Sequence, residues 1–186
     1  MPSGELQTDA IVRNALGAGK QVFVPCLFKP SDPPPDTPKS VMDMVDLRSV
    51  SDYDVLERDS WGIPTIGAET VEEREHVLSK GSRPLDMILM PGVAFDTDPE
   101  SGFIRRLGHG KGFYDYFLHR YMQLHNGEDG NAGAGPRTGA LLYGLALEDQ
   151  FLLGDGPSVP VGDHDNLLHG LFVGTGKILE GPVCRE

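Results

Sequence analysis

Apolar and polar positions change period along the first half of the chain, which predicts helix and strand in turn. A helix is expected from a Thr8 or Asp9 cap to about Leu16, because its apolar residues recur at helical spacing. Residues 21–25 predict a short strand, and the alternation over 41–48 predicts another. This helix-to-strand order indicates the units of an α/β fold.

The second half repeats this order. An apolar run over 85–90 predicts a buried strand stopped by Pro91-Gly92, and 113–124 has the apolar spacing of a helix face. Further strands are expected at 140–147 and 171–173. Strands alternating with helices predict a single-domain α/β fold with a largely parallel sheet flanked by helices. Such sheets bind ligands at the carboxyl ends of their strands.

Length and composition limit the classes of protein. The chain of 186 residues suits one domain, with a proline-rich loop at 29–40 and a glycine-rich loop at 126–139. Its net charge of −12 argues against nonspecific nucleic-acid binding. No apolar run reaches the roughly 20 residues that span a bilayer. The N-terminus carries no charged-then-apolar signal pattern, so a cytoplasmic setting is expected. Two cysteines, Cys26 and Cys184, are too few for a disulfide framework.

Residues 105–112 place three cations and a histidine among three glycines of this acidic chain. A glycine loop between a strand and a helix presents free N–H groups and a positive helix end to an anion, which predicts a phosphate site. The loop is not a Walker A loop, because no Gly-Lys-Ser/Thr follows at the required spacing. A solvated basic loop and plain turns are the alternatives.

A phosphate site of this kind needs carboxylates to hold a divalent metal. Asp115 lies in the first turn of the predicted helix, where it is either a favourable first-turn acid or a metal ligand. Asp163 or Asp165 is the candidate second ligand. Asp96 and Asp98 form another acidic pair, for which a role in turns is at least as good an interpretation.

The segments MPGVAFD and RRLGHGKGFYDYFL, at 90–96 and 105–118, resemble the signature of the 5-formyltetrahydrofolate cyclo-ligase family. Further segments in the family's order include Gly4 to Thr8, Lys20 to Pro25, Trp61 to Pro64 and Val159 to Asp165. The resemblance covers nearly the whole chain. It implies a NagB/RpiA/CoA-transferase-like fold and the cyclisation of 5-formyltetrahydrofolate to 5,10-methenyltetrahydrofolate, which consumes ATP, requires Mg²⁺ and releases ADP and phosphate.

The resemblance also implies roles for single residues. The ATP phosphate loop would consist of Arg106, Leu107, Gly108, His109, Gly110, Lys111, Gly112, Phe113 and Tyr114, with Arg106 and Lys111 as catalytic cations. Asp115 and Asp165 would hold Mg²⁺. The folate, with or without a polyglutamate tail, would contact Glu5, His109, Phe113 and Trp61. His109 and Phe113 depart from the residues that family members often have there, namely Arg or Gly and Tyr.

The family usually begins with a basic helix and a strand that have no counterpart here. The chain is therefore expected to be a truncated form with weakened ATP binding. A monomer is expected, and a mitochondrial location only if a longer N-terminus exists. Two alternatives stay open, a non-catalytic folate- or nucleotide-binding remnant of the family and a sugar-phosphate isomerase-like enzyme on the same fold.

Overall fold

The structure is a computed structural model that describes residues 6–30, 38–60, 62–125, 139–154, 156–162 and 165–182. The chain divides into two compact units, Met1–Arg83 and Pro84–Glu186, and each is described by itself. Glu5, Trp61, Asp163 and His164 lie outside the described residues, as do 31–37 and 126–138 of the two predicted loops. A single domain over 1–186 stays a prediction.

The first unit is built around a two-stranded antiparallel sheet. Strand β1 (Val22–Phe28) pairs with β2 (Val41–Leu47), and the register runs from Val22 opposite Leu47 to Phe28 opposite Val41. The other elements of this unit are α1 (Asp9–Gly17), α2 (Val50–Asp54), β3 (Glu57–Arg58), β4 (Pro64–Thr65) and α3 (Ala68–Val71). The predicted first helix and the first two strands are thereby confirmed.

A buried arginine ties the parts of this unit together. Arg74 donates to both carboxylate oxygens of Asp52, at 2.6 and 2.8 Å, and to the Asp46 carbonyl at 2.9 Å. The guanidinium lowers the pKa of the Asp52 carboxyl below its ordinary value. The pair therefore joins the first turn of α2 to the end of β2.

The second unit contains a four-stranded mixed sheet in the order β10-β9-β8-β5. Strand β8 (Leu141–Ala146) pairs in parallel with β5 (Met87–Pro91) and with β9 (Gly170–Val173), and β10 (Ile178–Glu180) pairs antiparallel with β9. Helix α4 (Phe113–His125) lies between β5 and β8 in the chain. The predicted α/β class with a largely parallel sheet is confirmed.

The apolar face of α4 and one face of the sheet are buried. The fully buried side chains of this unit include Met90, Phe95, Phe117, Leu118, Tyr121, Leu142, Leu168 and Leu171. The Tyr121 hydroxyl accepts a hydrogen bond from the Leu85 amide at 2.8 Å, which fixes the helix to the start of β5. Among the described residues, no helix combines the length and apolarity needed to cross a bilayer.

The structure corrects the predicted boundaries around the central segment. Two unpredicted strands, β6 (Ala94–Thr97) and β7 (Ile104–Leu107), form an antiparallel hairpin, and β7 includes both arginines that were assigned to the loop. Pro91 is the last residue of β5, whereas the sequence predicted that the strand ends before it. Strand β10 was also missed, because its three residues are too short to give a pattern.

Candidate functional site

A short glycine loop connects β7 to α4. Gly110 and Gly112 have φ values of 75° and 64°, in the left-handed region that favours glycine. Residues 109–112 are exposed, and the Tyr116 amide bonds to the Gly112 carbonyl at 2.9 Å as α4 begins. The N–H groups in the first turn of a helix have no partner within the helix and lie at its positive end. The loop can therefore surround an anion.

Arg106 lies in β7, close to this loop, and its guanidinium forms hydrogen bonds with two other residues. Its Nη2 donates to both carboxylate oxygens of Asp115, at 3.0 and 2.9 Å, and its Nη1 donates to the Pro91 carbonyl at 3.3 Å. The Arg106 side chain is 5% exposed and the Asp115 side chain 20%. Arg106 thus connects the carboxyl end of β5 to the first turn of α4.

Two neighbours restrict the position of this guanidinium. A Cβ added to Gly108 would lie 3.0 Å from Arg106 Nη1, so a glycine at this position leaves the space that the arginine occupies. The Tyr114 ring centroid lies 5.7 Å from Arg106 Cζ, which is within the range of a cation–π contact. Lys111, in contrast, is exposed in the loop itself.

Gln150 connects the carboxyl ends of the two neighbouring parallel strands β5 and β8. It belongs to a 3₁₀ helix (Glu148–Gln150) that follows β8. Its Oε1 accepts from the Leu147 amide at 2.8 Å, and its Nε2 donates to the Gly92 carbonyl at 2.9 Å. Gly92 directly follows Pro91, the residue to which Arg106 donates. These two hydrogen bonds, called the Gln150 clamp below, therefore hold the same end of β5 to which Arg106 is bonded.

Arg105 points to the opposite side of β7 and pairs with another acid. It stands directly across the hairpin from Asp96, and its Nε donates to Asp96 at 2.6 Å while Nη2 donates to the second oxygen. That second oxygen also accepts from the Val159 amide at 2.9 Å. The hydrogen bonds to Asp96 raise the pKa of Arg105 above its ordinary value. Asp98, the other member of the predicted acidic pair, lies in the hairpin turn and accepts hydrogen bonds from Ser101.

Asp165 lies in a separate exposed turn. Its Oδ2 accepts from the Gly162 amide at 2.7 Å, and its own amide bonds to the Gly162 carbonyl at 3.1 Å. The described residues contain no cluster of three or more His, Cys, Asp or Glu side chains around one point. The two predicted metal ligands, Asp115 and Asp165, thus have different partners here, Arg106 and Gly162.

The structure brings together only part of the predicted site. Arg106 and Asp115 are in contact, and the side chains of His109, Lys111 and Phe113 belong to the loop and to the first residue of α4. The pairing of Arg106 with Asp115 and the clamp by Gln150 were not predicted. Arg106 and Asp115 are nine positions apart, a spacing that matches neither a helical nor a strand contact. Their contact therefore depends on how β7 and α4 fold together and could not be predicted from the sequence.

The mixed sheet and its helix define an α/β protein, and an exposed glycine loop at the N-terminus of a helix, beside the carboxyl ends of parallel strands, is an arrangement that can accept an anion. Comparison with known families then identifies it further. The model of the 5-formyltetrahydrofolate cyclo-ligase family matches residues 1–171, and the chain belongs to this family.

Individual relatives agree with this membership. The chain is 34% identical over 163 residues to a probable 5-formyltetrahydrofolate cyclo-ligase of Caenorhabditis elegans, covering 88% of this chain and 64% of the relative. It is 34% identical to the 5-formyltetrahydrofolate cyclo-ligase of Mus musculus, over 87% of this chain and 64% of the relative. The Saccharomyces cerevisiae protein of the same name is 29% identical, over 96% and 74%. The chain thus spans slightly less than two thirds of the length of the first two relatives.

Proposed function

We propose that the chain catalyses the cyclisation of 5-formyltetrahydrofolate to 5,10-methenyltetrahydrofolate, with conversion of ATP to ADP and phosphate. The observation that carries this proposal is the exposed loop 109–112, with Lys111, at the N-terminus of α4 in a chain of the cyclo-ligase family. The loop supplies what a triphosphate requires, namely backbone donors, a cation and a positive helix end.

The reaction would proceed by activation of the formyl group. An amide oxygen is a poor leaving group, and its attack on the γ-phosphate of ATP converts it into a phosphate ester, with ADP as the other product. The neighbouring folate nitrogen then closes on the activated carbon, and phosphate leaves with the former formyl oxygen. Loop amides and Lys111 would hold the phosphates in line, so catalysis rests on positioning and charge stabilisation without a protein nucleophile.

The two carboxylates predicted to bind metal fit Mg²⁺ in kind. Magnesium prefers oxygen ligands and often uses one or two carboxylates together with substrate phosphates. Asp115, with a side chain that is 20% exposed, and the exposed Asp165 would hold the ion, directly or through water. When bound, the ion would neutralise charge that develops on the transferred phosphate.

The folate contacts stay predictions for His109 and Phe113, which lie in the loop and at the start of α4, and for Glu5 and Trp61, which lie outside the described residues. A cytoplasmic location and a monomeric state are part of the proposal as well. A substrate with a polyglutamate tail is compatible with it.

A second candidate is a family member that binds folate or nucleotide without turnover. The observation in its favour is that Arg106 and Asp115, the proposed phosphate cation and metal ligand, are paired with each other. Membership of the cyclo-ligase family argues against the third alternative, the sugar-phosphate isomerase-like enzyme.

The two candidates differ in one measurement. The purified chain is mixed with 5-formyltetrahydrofolate, and the near-ultraviolet absorbance of the methenyl product is followed with ATP and Mg²⁺ together and with each omitted. The proposal requires product only when both are present, and it requires Lys111→Met to weaken apparent ATP affinity about ten- to hundredfold, the value of a hydrogen bond to a charged group. Folate binding without product would support the second candidate.

A further inference from the structure

We propose that Arg106 is a positioning residue that acts through Asp115, and that Lys111 is the cation that meets the nucleotide phosphates. This inference rests on the proposed function, because it assigns different roles to the two cations of the same loop region. It departs from the sequence-based expectation that both cations contact phosphate directly.

The donors of Arg106 support this assignment. A guanidinium has five N–H donors. Nη2 donates to both oxygens of Asp115 and Nη1 donates to the Pro91 carbonyl, so both terminal nitrogens of the guanidinium are bonded to groups of the protein. With its side chain 5% exposed, the group would have to leave the half-buried carboxylate of Asp115 to reach a phosphate in solution. Breaking such a pair is costly, because it leaves a charge unpaired in a region of low dielectric.

Charge gives a reason for the pair. The Asp115 carboxylate lies in the first turn of α4, at the helix end where phosphate would bind. Alone, its negative charge would repel the phosphate at close range. Arg106 offsets part of that charge and holds the carboxylate in place as a metal ligand, since it is itself bonded to the end of β5. The exposed Lys111 then remains as the net positive charge of the loop.

A double-mutant cycle separates a positioning role from direct contact. The chain and the variants Arg106→Met, Asp115→Asn and Arg106→Met/Asp115→Asn are titrated with a fluorescent ATP analogue in the presence of Mg²⁺. If Arg106 acts through Asp115, each single variant loses about tenfold in affinity, Arg106→Met because the partner of a metal ligand is removed and Asp115→Asn because the charge of that ligand is lost. The double variant then also loses about tenfold, because the second change removes nothing further.

Direct contact of Arg106 with phosphate predicts a different result. The losses would then multiply to about a hundredfold in the double variant, and this outcome overturns the proposal, as does unchanged affinity of Arg106→Met. Arg105→Met is the matched control, since Arg105 is the adjacent arginine of β7 and pairs with Asp96 instead. Combined with Asp115→Asn, it should give independent effects that multiply.

Urea unfolding of the same variants distinguishes a failure of this proposal from a failure of the proposed function. Coupling between Arg106 and Asp115 in the free energy of unfolding is expected with or without nucleotide. If the unmodified chain binds no analogue, the positioning role is overturned. Retained coupling then shows that the pair exists and that nucleotide binding is what failed, whereas lost coupling shows that the pair itself is absent.

Discussion

Replacing Gln150 by Met should remove a clamp between two parallel strands without changing the size of the side chain. The change leaves the Leu147 amide and the Gly92 carbonyl without their partners at 2.8 and 2.9 Å. The Gly92 residue is buried and Leu147 is half-buried. Each unsatisfied buried group costs about 1–3 kcal/mol, so we expect a loss of about 2–4 kcal/mol in unfolding free energy.

The assay is equilibrium urea unfolding followed by circular dichroism. With a denaturant slope of about 2 kcal/mol per molar, the expected loss lowers the midpoint by about 1–2 M. Gln150→Glu tests the two hydrogen bonds separately. Its carboxylate can accept from the Leu147 amide but cannot donate to the Gly92 carbonyl, and protonation of the carboxylate at acid pH restores that donor. Asp149→Asn, at an exposed position of the same 3₁₀ helix, is the control and should change stability by less than about 0.5 kcal/mol. A Gln150→Met midpoint equal to that of the control would refute the reasoning.

Three further predictions concern pH, the core and the loop. Burial lowers the pKa of His169, and its Nδ1 accepts a hydrogen bond from a backbone amide at 2.9 Å. The neutral imidazole therefore stabilises the fold at pH values above the unfolded pKa of about 6.5. This contribution is lost as the pH falls through the folded pKa. His169→Asn, which keeps an acceptor but does not titrate, should flatten the urea midpoint between pH 7.5 and 5.5; an unchanged slope would exclude the histidine as its source. Gly144→Ala places a Cβ 2.6 Å from both Phe95 and Leu171 and should cost about 1–3 kcal/mol in urea unfolding, whereas a neutral result would show that the core has room. Gly110→Ala meets no atom within 4 Å but keeps φ at 75°, so it should cost about 1–2 kcal/mol of backbone strain, and unchanged thermal unfolding would contradict this.

Long periodic segments were predictable from the sequence. Helix α4 gives a clear signal because its apolar residues recur at helical spacing, and strand β8 because it lies in a continuous, mostly apolar run. The hairpin of β6 and β7 was missed because each strand has four residues, and the Arg105-Arg106 pair looks like part of a cationic loop. In a strand, neighbouring side chains point to opposite faces, so these two arginines serve different partners.

The site could be predicted only in part for a related reason. Glycine spacing identifies the loop, because positive φ at Gly110 and Gly112 is a local requirement. The pairs of Arg106 with Asp115 and of Arg105 with Asp96 depend on how the hairpin folds back, which no local pattern reports. The position of the glycine loop could therefore be predicted from the sequence, whereas the ion pairs of the nearby arginines could not.

The fate of the formyl oxygen tests the proposed reaction most directly. The chain is supplied with 5-formyltetrahydrofolate labelled with oxygen-18 in the formyl group, together with ATP and Mg²⁺, and the released phosphate is analysed by mass spectrometry. Activation by phosphoryl transfer predicts one labelled oxygen in each phosphate formed with the methenyl product. Methenyl product accompanied by unlabelled phosphate would contradict it.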